Sequence, residues 1–144
     1  MLHASARRLA LLIIVGAGLI WASAAQAQYV VSNNNDSGAG SLRQAIIDAD
    51  NAGAPLGVPN GTTPAIVFNA GVGTITLASA LPLIYSNVTI TGSAGAAIDG
   101  AGSFRGLFVS GLATTGNGAP ASVTVSISNL AIQNVVAQGG NGGT

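Results

Sequence analysis

The chain is 144 residues long, and its composition excludes more chemistry than it supplies. Met1, His3 and Trp21 all lie within the first 27 residues, so the 117 that follow contain no His, Cys, Lys, Glu, Met or Trp. General bases, nucleophiles and soft metal ligands come mostly from those missing types. Two arginines, Arg43 and Arg105, against four aspartates leave a net charge near −2, with no basic stripe for nucleic acid or an anionic membrane.

The N-terminus reads as an export signal. Arg7 and Arg8 precede the 12-residue apolar run Leu9 to Ile20, and Ala25-Gln26-Ala27 ends the segment in small residues. Twelve helical residues cover roughly 18 Å, short of a ~30 Å hydrocarbon core. The expectation is therefore a signal-peptide helix over 1–27, cleaved after Ala27 or at Ala22-Ser23-Ala24, rather than a membrane anchor. Export would bring the chain into contact with the export machinery and place it outside the cytoplasm.

Residues 28–63 read as a cap with one short helix. Ser41-Leu42-Arg43-Gln44 predicts a capping box, with Ser41 at the N-cap and Gln44 reaching back. Leu42, Ala45, Ile46 and Ala49 then form one apolar stripe, and Gly53 and Pro55 end the helix. Arg43 in the first turn and Asp48 and Asp50 near the end each sit at the wrong pole of the helix dipole. A helix of about 10 residues so charged would barely form alone, so its Leu42/Ile46 face must pack on something else. A cation in a first turn also calls for a partner, and Asp36 in the preceding loop is the expected one.

Residues 64–137 change to short β runs, among them 65–68, 74–77, 83–85, 87–92, 97–100, 107–109, 123–127 and 130–132. Ile66 to Val88 spans 22 residues, Ile75 to Ile98 23, and Leu107 to Leu130 23. A recurrence near 20–25 residues with two or three short strands per period predicts a solenoid of parallel strands. An antiparallel sandwich would use more tight hairpin dipeptides than the sequence offers between runs. Residues 138–144 form a Gly-rich tail or truncated loop, which leaves the last coil uncapped and open to self-association.

The stretch Asn35-Asp36-Ser37-Gly38-Ala39-Gly40-Ser41-Leu42-Arg43-Gln44-Ala45-Ile46 resembles the N-terminal cap of secreted right-handed parallel β-helix proteins, which include bacterial autotransporter passenger domains. Ile66-Val67-Phe68, Val88-Thr89-Ile90-Thr91-Gly92 and Ile98-Asp99-Gly100 also match that style. The resemblance implies an all-β fold: a right-handed parallel β-helix of about 3–4 coils, capped by one short α-helix. It makes Asp36, Gly38, Ser41, Leu42, Arg43, Gln44 and Ile46 structural cap residues. It further implies a surface protein of the cell surface, outer membrane or extracellular space, adhesin-like, with a host-cell or carbohydrate ligand. The ending resembles a loop leading into further coils, so a fragment is expected.

The alternative is the N-terminal part of an extracellular polysaccharide lyase or hydrolase whose active site lies on other coils. Asp99 and Arg105 are the acid and base nearest each other in the β region. One Asp is a poor Ca²⁺ site, an Arg is a poor base, and Asp99 before Gly100 reads as a turn residue bonding its own backbone. No catalytic, cofactor-binding or metal residue is therefore expected, and no cofactor. Asn35-Asp36-Ser37, Asn60-Gly61-Thr62 and Asn87-Val88-Thr89 fit the glycosylation sequon and are taken as accidental.

Overall fold

Nine short strands and one helix make up the computed structural model, which describes residues 27–52, 63–110 and 122–137. The segment expected to be a leader (apart from Ala27), Gly53 and Pro55, expected to end the helix, the Asn60 sequon and the Gly-rich stretch 138–144 lie outside the described residues. In chain order the elements are β1 (Gln28–Val31), α1 (Leu42–Ala52), β2 (Ala65–Phe68), β3 (Thr74–Thr76), β4 (Leu83–Ile84), β5 (Val88–Thr91), β6 (Ala97–Asp99), β7 (Phe108–Val109), β8 (Val125–Ser128) and β9 (Ala131–Gln133). Among the described residues the fold is all-β with a single short helix, α1, as expected of residues 28–137.

The strands form three sheets, ordered β1-β2-β5-β8, β3-β6-β9 and β4-β7. Every pairing is parallel. Strands β2, β3 and β4 enter the first, second and third sheets; β5, β6 and β7 repeat that order, and β8 and β9 begin it again. Parallel neighbours cannot be joined by a tight hairpin; from β2 onward each return to a sheet passes through the other two, while α1 lies between β1 and β2. This accounts for the scarcity of hairpin dipeptides.

Period-2 alternation sends isoleucine inward. Ile66 pairs with Ile90 and Ile90 with Ile127 in the first sheet. In the second, Ile75 pairs with Ile98 and Ile98 with Ile132. Ile66, Ile75, Ile84, Ile90 and Ile98 are all buried to within 1% of full. Each such side chain contributes about 2 kcal/mol by leaving water.

Three sequence expectations are corrected. A strand, β1, opens the first sheet inside the segment read as cap and loop, its Tyr29 beside Ile66. Its apolar run is only Tyr29-Val30-Val31, too short for periodicity to reveal it. Ile66 recurs at Ile90, 24 residues on, rather than at Val88. Val88 and Ile90 both point inward, so alternation cannot separate them; backbone pairing does, with Thr89 N–H donating to Pro64 O at 3.0 Å. Leu107 and Leu130 are not equivalents, because Leu107 leads into β7 of the third sheet and Leu130 into β9 of the second. The return from Ile90 to Ile127 takes 37 residues, so a fixed period fails there.

Helix α1 lies in sequence between β1 and β2 and packs on both. Leu42, Ala45, Ile46 and Ala49 are buried and join one cluster with Val31, Ile66, Phe68 and Ile75. The stripe read from the sequence is the packed face, and tertiary contact holds the helix against its unfavourable end charges.

Candidate functional site

Charged and polar side chains converge on α1 and the loop that precedes it. Gly38, at φ +92°, turns its carbonyl toward Ser41, accepting from the backbone N–H at 3.2 Å and from Oγ at 2.7 Å. Ser41 Oγ in turn accepts from Gln44 N–H at 3.2 Å, and Ser41 O accepts the first helical bond from Ala45 N–H. Ser41 is therefore the N-cap. The reciprocal half of the capping box does not form. Ser41 N–H is already engaged by Gly38 O, so Gln44 turns along the helix and donates from Nε2 to Asp48 Oδ1 at 2.9 Å. Leu42 and Ile46 carry the buried face.

Arg43 and Asp36 meet as the sequence led one to expect, and the contact reaches further than a pair. Nη2 of Arg43 lies 2.8 Å from Asp36 Oδ1, and Nε donates to Asp36 O at 3.0 Å. The same guanidinium donates to Ser79 O at 3.0 Å and Ala80 O at 2.6 Å. Asp36 Oδ1 also accepts from Ala78 N–H at 2.9 Å. The pair thus ties the loop before α1 to the segment between β3 and β4, 42 residues on from Asp36. Both side chains are more than four-fifths buried, so solvent screens them less than an exposed pair.

Burial pushes the Asp36 carboxyl up, but the Ala78 N–H, the Arg43 hydrogen bond and charge, and the Ser79 N–H outweigh it. The net effect holds Asp36 below the ordinary carboxylate range. A carboxyl depressed on folding stabilises fully above its unfolded pKa, and that contribution is lost as pH falls through the folded value. Thermal midpoints should be flat near neutrality and decline below about pH 4, where unfolded aspartates begin to take up protons. The decline should be shallower in Arg43→Ala; equal slopes in a pH series of melting curves would rule the pair out as its source.

Asp50 was read only as a misplaced helix charge. It is 5% exposed, and its Oδ1 accepts from Ser86 Oγ at 2.6 Å, Ser86 N–H at 3.1 Å and Tyr85 N–H at 3.3 Å. Those donors turn the last buried position of the helix into an anchor for the chain after β4. The signal was present: Leu42, Ile46 and Asp50 stand at i, i+4 and i+8, so the stripe continues onto the aspartate. Asp50→Ala should cost about 2–3 kcal/mol by leaving these donors unpaired, and Asp50→Asn, which keeps an acceptor, about half. Urea unfolding would decide it, and a loss under about 0.5 kcal/mol for the alanine variant would refute the anchor.

Asp99 sits in the turn role expected of it. Oδ1 accepts from Ala101 N–H at 2.8 Å, and Oδ2 from Asn134 Nδ2 at 3.0 Å and Gln133 Nε2 at 3.2 Å. The Ala101 N–H does most to hold its carboxyl below the usual range. Arg105 stacks over the Phe108 ring, 4.2 Å from its centre, instead of pairing with Asp99. Acid and base thus have separate partners. Asn87, in one of the sequons, uses Oδ1 to accept from Thr124 N–H at 2.8 Å.

An open groove runs beside the second sheet, lined by Thr74, Ser93, Ala97, Asn129 and Gln133 among others. Its lining includes no titratable side chain, so these residues can hydrogen-bond a neutral polar ligand but cannot transfer a proton. Among the described residues no three His, Cys, Asp or Glu side chains cluster as a metal site, and no helix is long and apolar enough to cross a membrane. Compared with known proteins, the chain matches no family model, no curated protein and no solved structure.

Proposed function

We propose that this chain is an exported surface protein, a right-handed parallel β-helix closed at its N-terminal end by α1, with a structural or adhesive role. The observation that carries the reading is the cyclic allocation of strands: first, second and third sheet, then the same order again, always in parallel. Stacking of Ile66 on Ile90 and of Ile75 on Ile98 supports coils with a narrow aliphatic interior. The tie from Arg43 and Asp36 across to residues 78–80 supports a cap that fastens the first coil. Fixed loops on a stiff stack suit display and contact, and the neutral polar groove suits hydroxyl-rich ligands such as glycans.

The test is fractionation of cells expressing the full chain, with sequencing of the N-terminus and a glycan-array screen of the purified protein. The expected result is a processed chain outside the cytoplasm, beginning at Gln28 or at Ala25, that binds glycans without altering them. Retention of Met1 in a cytoplasmic species would overturn export. Cleavage of a bound polysaccharide would overturn the structural or adhesive role.

A further inference from the structure

Ala25-Gln26-Ala27 is followed by a glutamine, and Gln28 is the exposed first residue of β1. Ala27 O and Val31 O accept from Ala65 N–H and Asn69 N–H, both at 2.9 Å. Residues 27, 29 and 31 therefore turn their backbone groups to β2, and the nitrogen of Gln28 takes no part in that ladder. Tyr29 packs against the core cluster and Val31 is fully buried. Alternation then places the Gln28 side chain on the outer face, beside the methyl group of Ala65. Cleavage after Ala27 removes one ladder acceptor and leaves the four residue pairs of β1 in place.

We propose that Gln28, once it is the first residue, closes on itself to form pyroglutamate. The inference rests on the export reading, with processing after Ala27, and adds a covalent modification to it. The unprotonated α-amine attacks Cδ of its own side chain and forms a lactam ring. The bond from Cδ to Nε2 breaks, one amine proton passes to the leaving nitrogen, and ammonia departs. An α-amine titrates near about pH 8, so part of it is unprotonated at neutrality. The step needs no oxidant, cofactor or second residue, which suits a chain with no Cys, Lys or Glu and no His after His3. Neither the ladder nor the small Ala65 neighbour obstructs the ring.

The consequence falls on β1. An aminopeptidase grips a free α-amine, and a lactam offers none. Strand β1 has only four residues, two of them set into the core, and α1 packs on it. Loss of Gln28 and Tyr29 would strip Ile66 of its neighbour on that side. Cyclisation thus protects the strand that opens the first sheet from trimming outside the cell, and it removes the positive charge of the amine.

Intact mass and N-terminal sequencing of the exported chain test the modification. The expected species starts at Gln28 and is lighter than the linear chain by one ammonia, about 17 Da. It should resist stepwise sequencing until a pyroglutamyl peptidase exposes Tyr29. Gln28→Ala cannot cyclise; it should sequence directly and lose its first residues to an aminopeptidase that leaves the unsubstituted chain whole. A linear Gln28 with a free amine after prolonged incubation at neutral pH overturns the proposal. So does a chain beginning at Ala25, which leaves export standing. Met1 retained in a cytoplasmic species would instead overturn export, and the modification with it. Equal resistance of the two chains to the aminopeptidase would refute the protective role.

Discussion

Gly100→Ala is expected to cost about 3–4 kcal/mol or to prevent folding. A Cβ at Gly100 would fall on Phe104 O, with Asn134 O at 2.7 Å and Val135 Cα at 2.8 Å. All three are backbone atoms, so no side chain can swing aside. Nor can the backbone easily shift, because the same corner is bonded throughout. Gly100 N–H donates to Gln133 O at 3.0 Å, Gly102 N–H to Asn134 O at 2.8 Å, and Phe104 N–H to Gly100 O at 2.9 Å. Making room would separate the turn after β6 from the turn after β9. Gly95→Ala is the control: its φ of +77° strains an alanine, but nothing lies within 4 Å. That change should cost only about 1 kcal/mol. Calorimetric midpoints should therefore fall by roughly 10–15 °C for the first and a few degrees for the second. Similar losses for the two would mean that close approach is not what Gly100 provides.

Arg43→Ala should cost about 2–3 kcal/mol, near 10 °C in midpoint. The guanidinium makes four hydrogen bonds from one planar fork, to Asp36 O, Asp36 Oδ1, Ser79 O and Ala80 O. An exposed ion pair would contribute only about 0–1 kcal/mol; burial of both partners and the carbonyl bonds raise the expectation above that. Arg43→Lys should recover less than half, because one ammonium cannot span acceptors arranged for a fork. Asp36→Asn should be milder than Arg43→Ala, since the amide oxygen can still accept from Ala78 N–H. Combined with Arg43→Ala it should add little, the two residues sharing one network. Additive losses in a double-mutant cycle would show that Arg43 and Asp36 act separately.

Much of this molecule is legible from local pattern. The apolar stripe Leu42, Ala45, Ile46 and Ala49 is a property of helical geometry and is the face that packs. Alternation in Ile66-Val67-Phe68 and Val88-Thr89-Ile90 marks strands with one face inward, because side chains on a strand point alternately to its two sides. The N-cap role of Ser41 and the Asx-type turn at Asp99 follow from short side chains bonding backbone a few residues away. The absence of Cys, Lys and Glu from the whole chain, and of His after His3, is composition alone.

Other features were decided only when distant segments met. Alternation specifies which face a residue takes but not which neighbour it stands beside, so Val88 and Ile90 were interchangeable until backbone pairing chose Ile90 for Ile66. Strand β1 has too few residues for a pattern of its own and exists because β2 offers it an edge. Asp50 looks unfavourable at a helix end until Tyr85 and Ser86 bring it three donors. Gln44 abandons the capping box because Gly38 O has already taken the Ser41 N–H. Sequence by itself determined the local elements, the inward faces and the poverty of reactive groups. Register, the β1 edge and the partners of the buried charges came from tertiary structure, because each depends on atoms far away along the chain, 24 residues for Ile66 and Ile90 and 36 for Asp50 and Ser86.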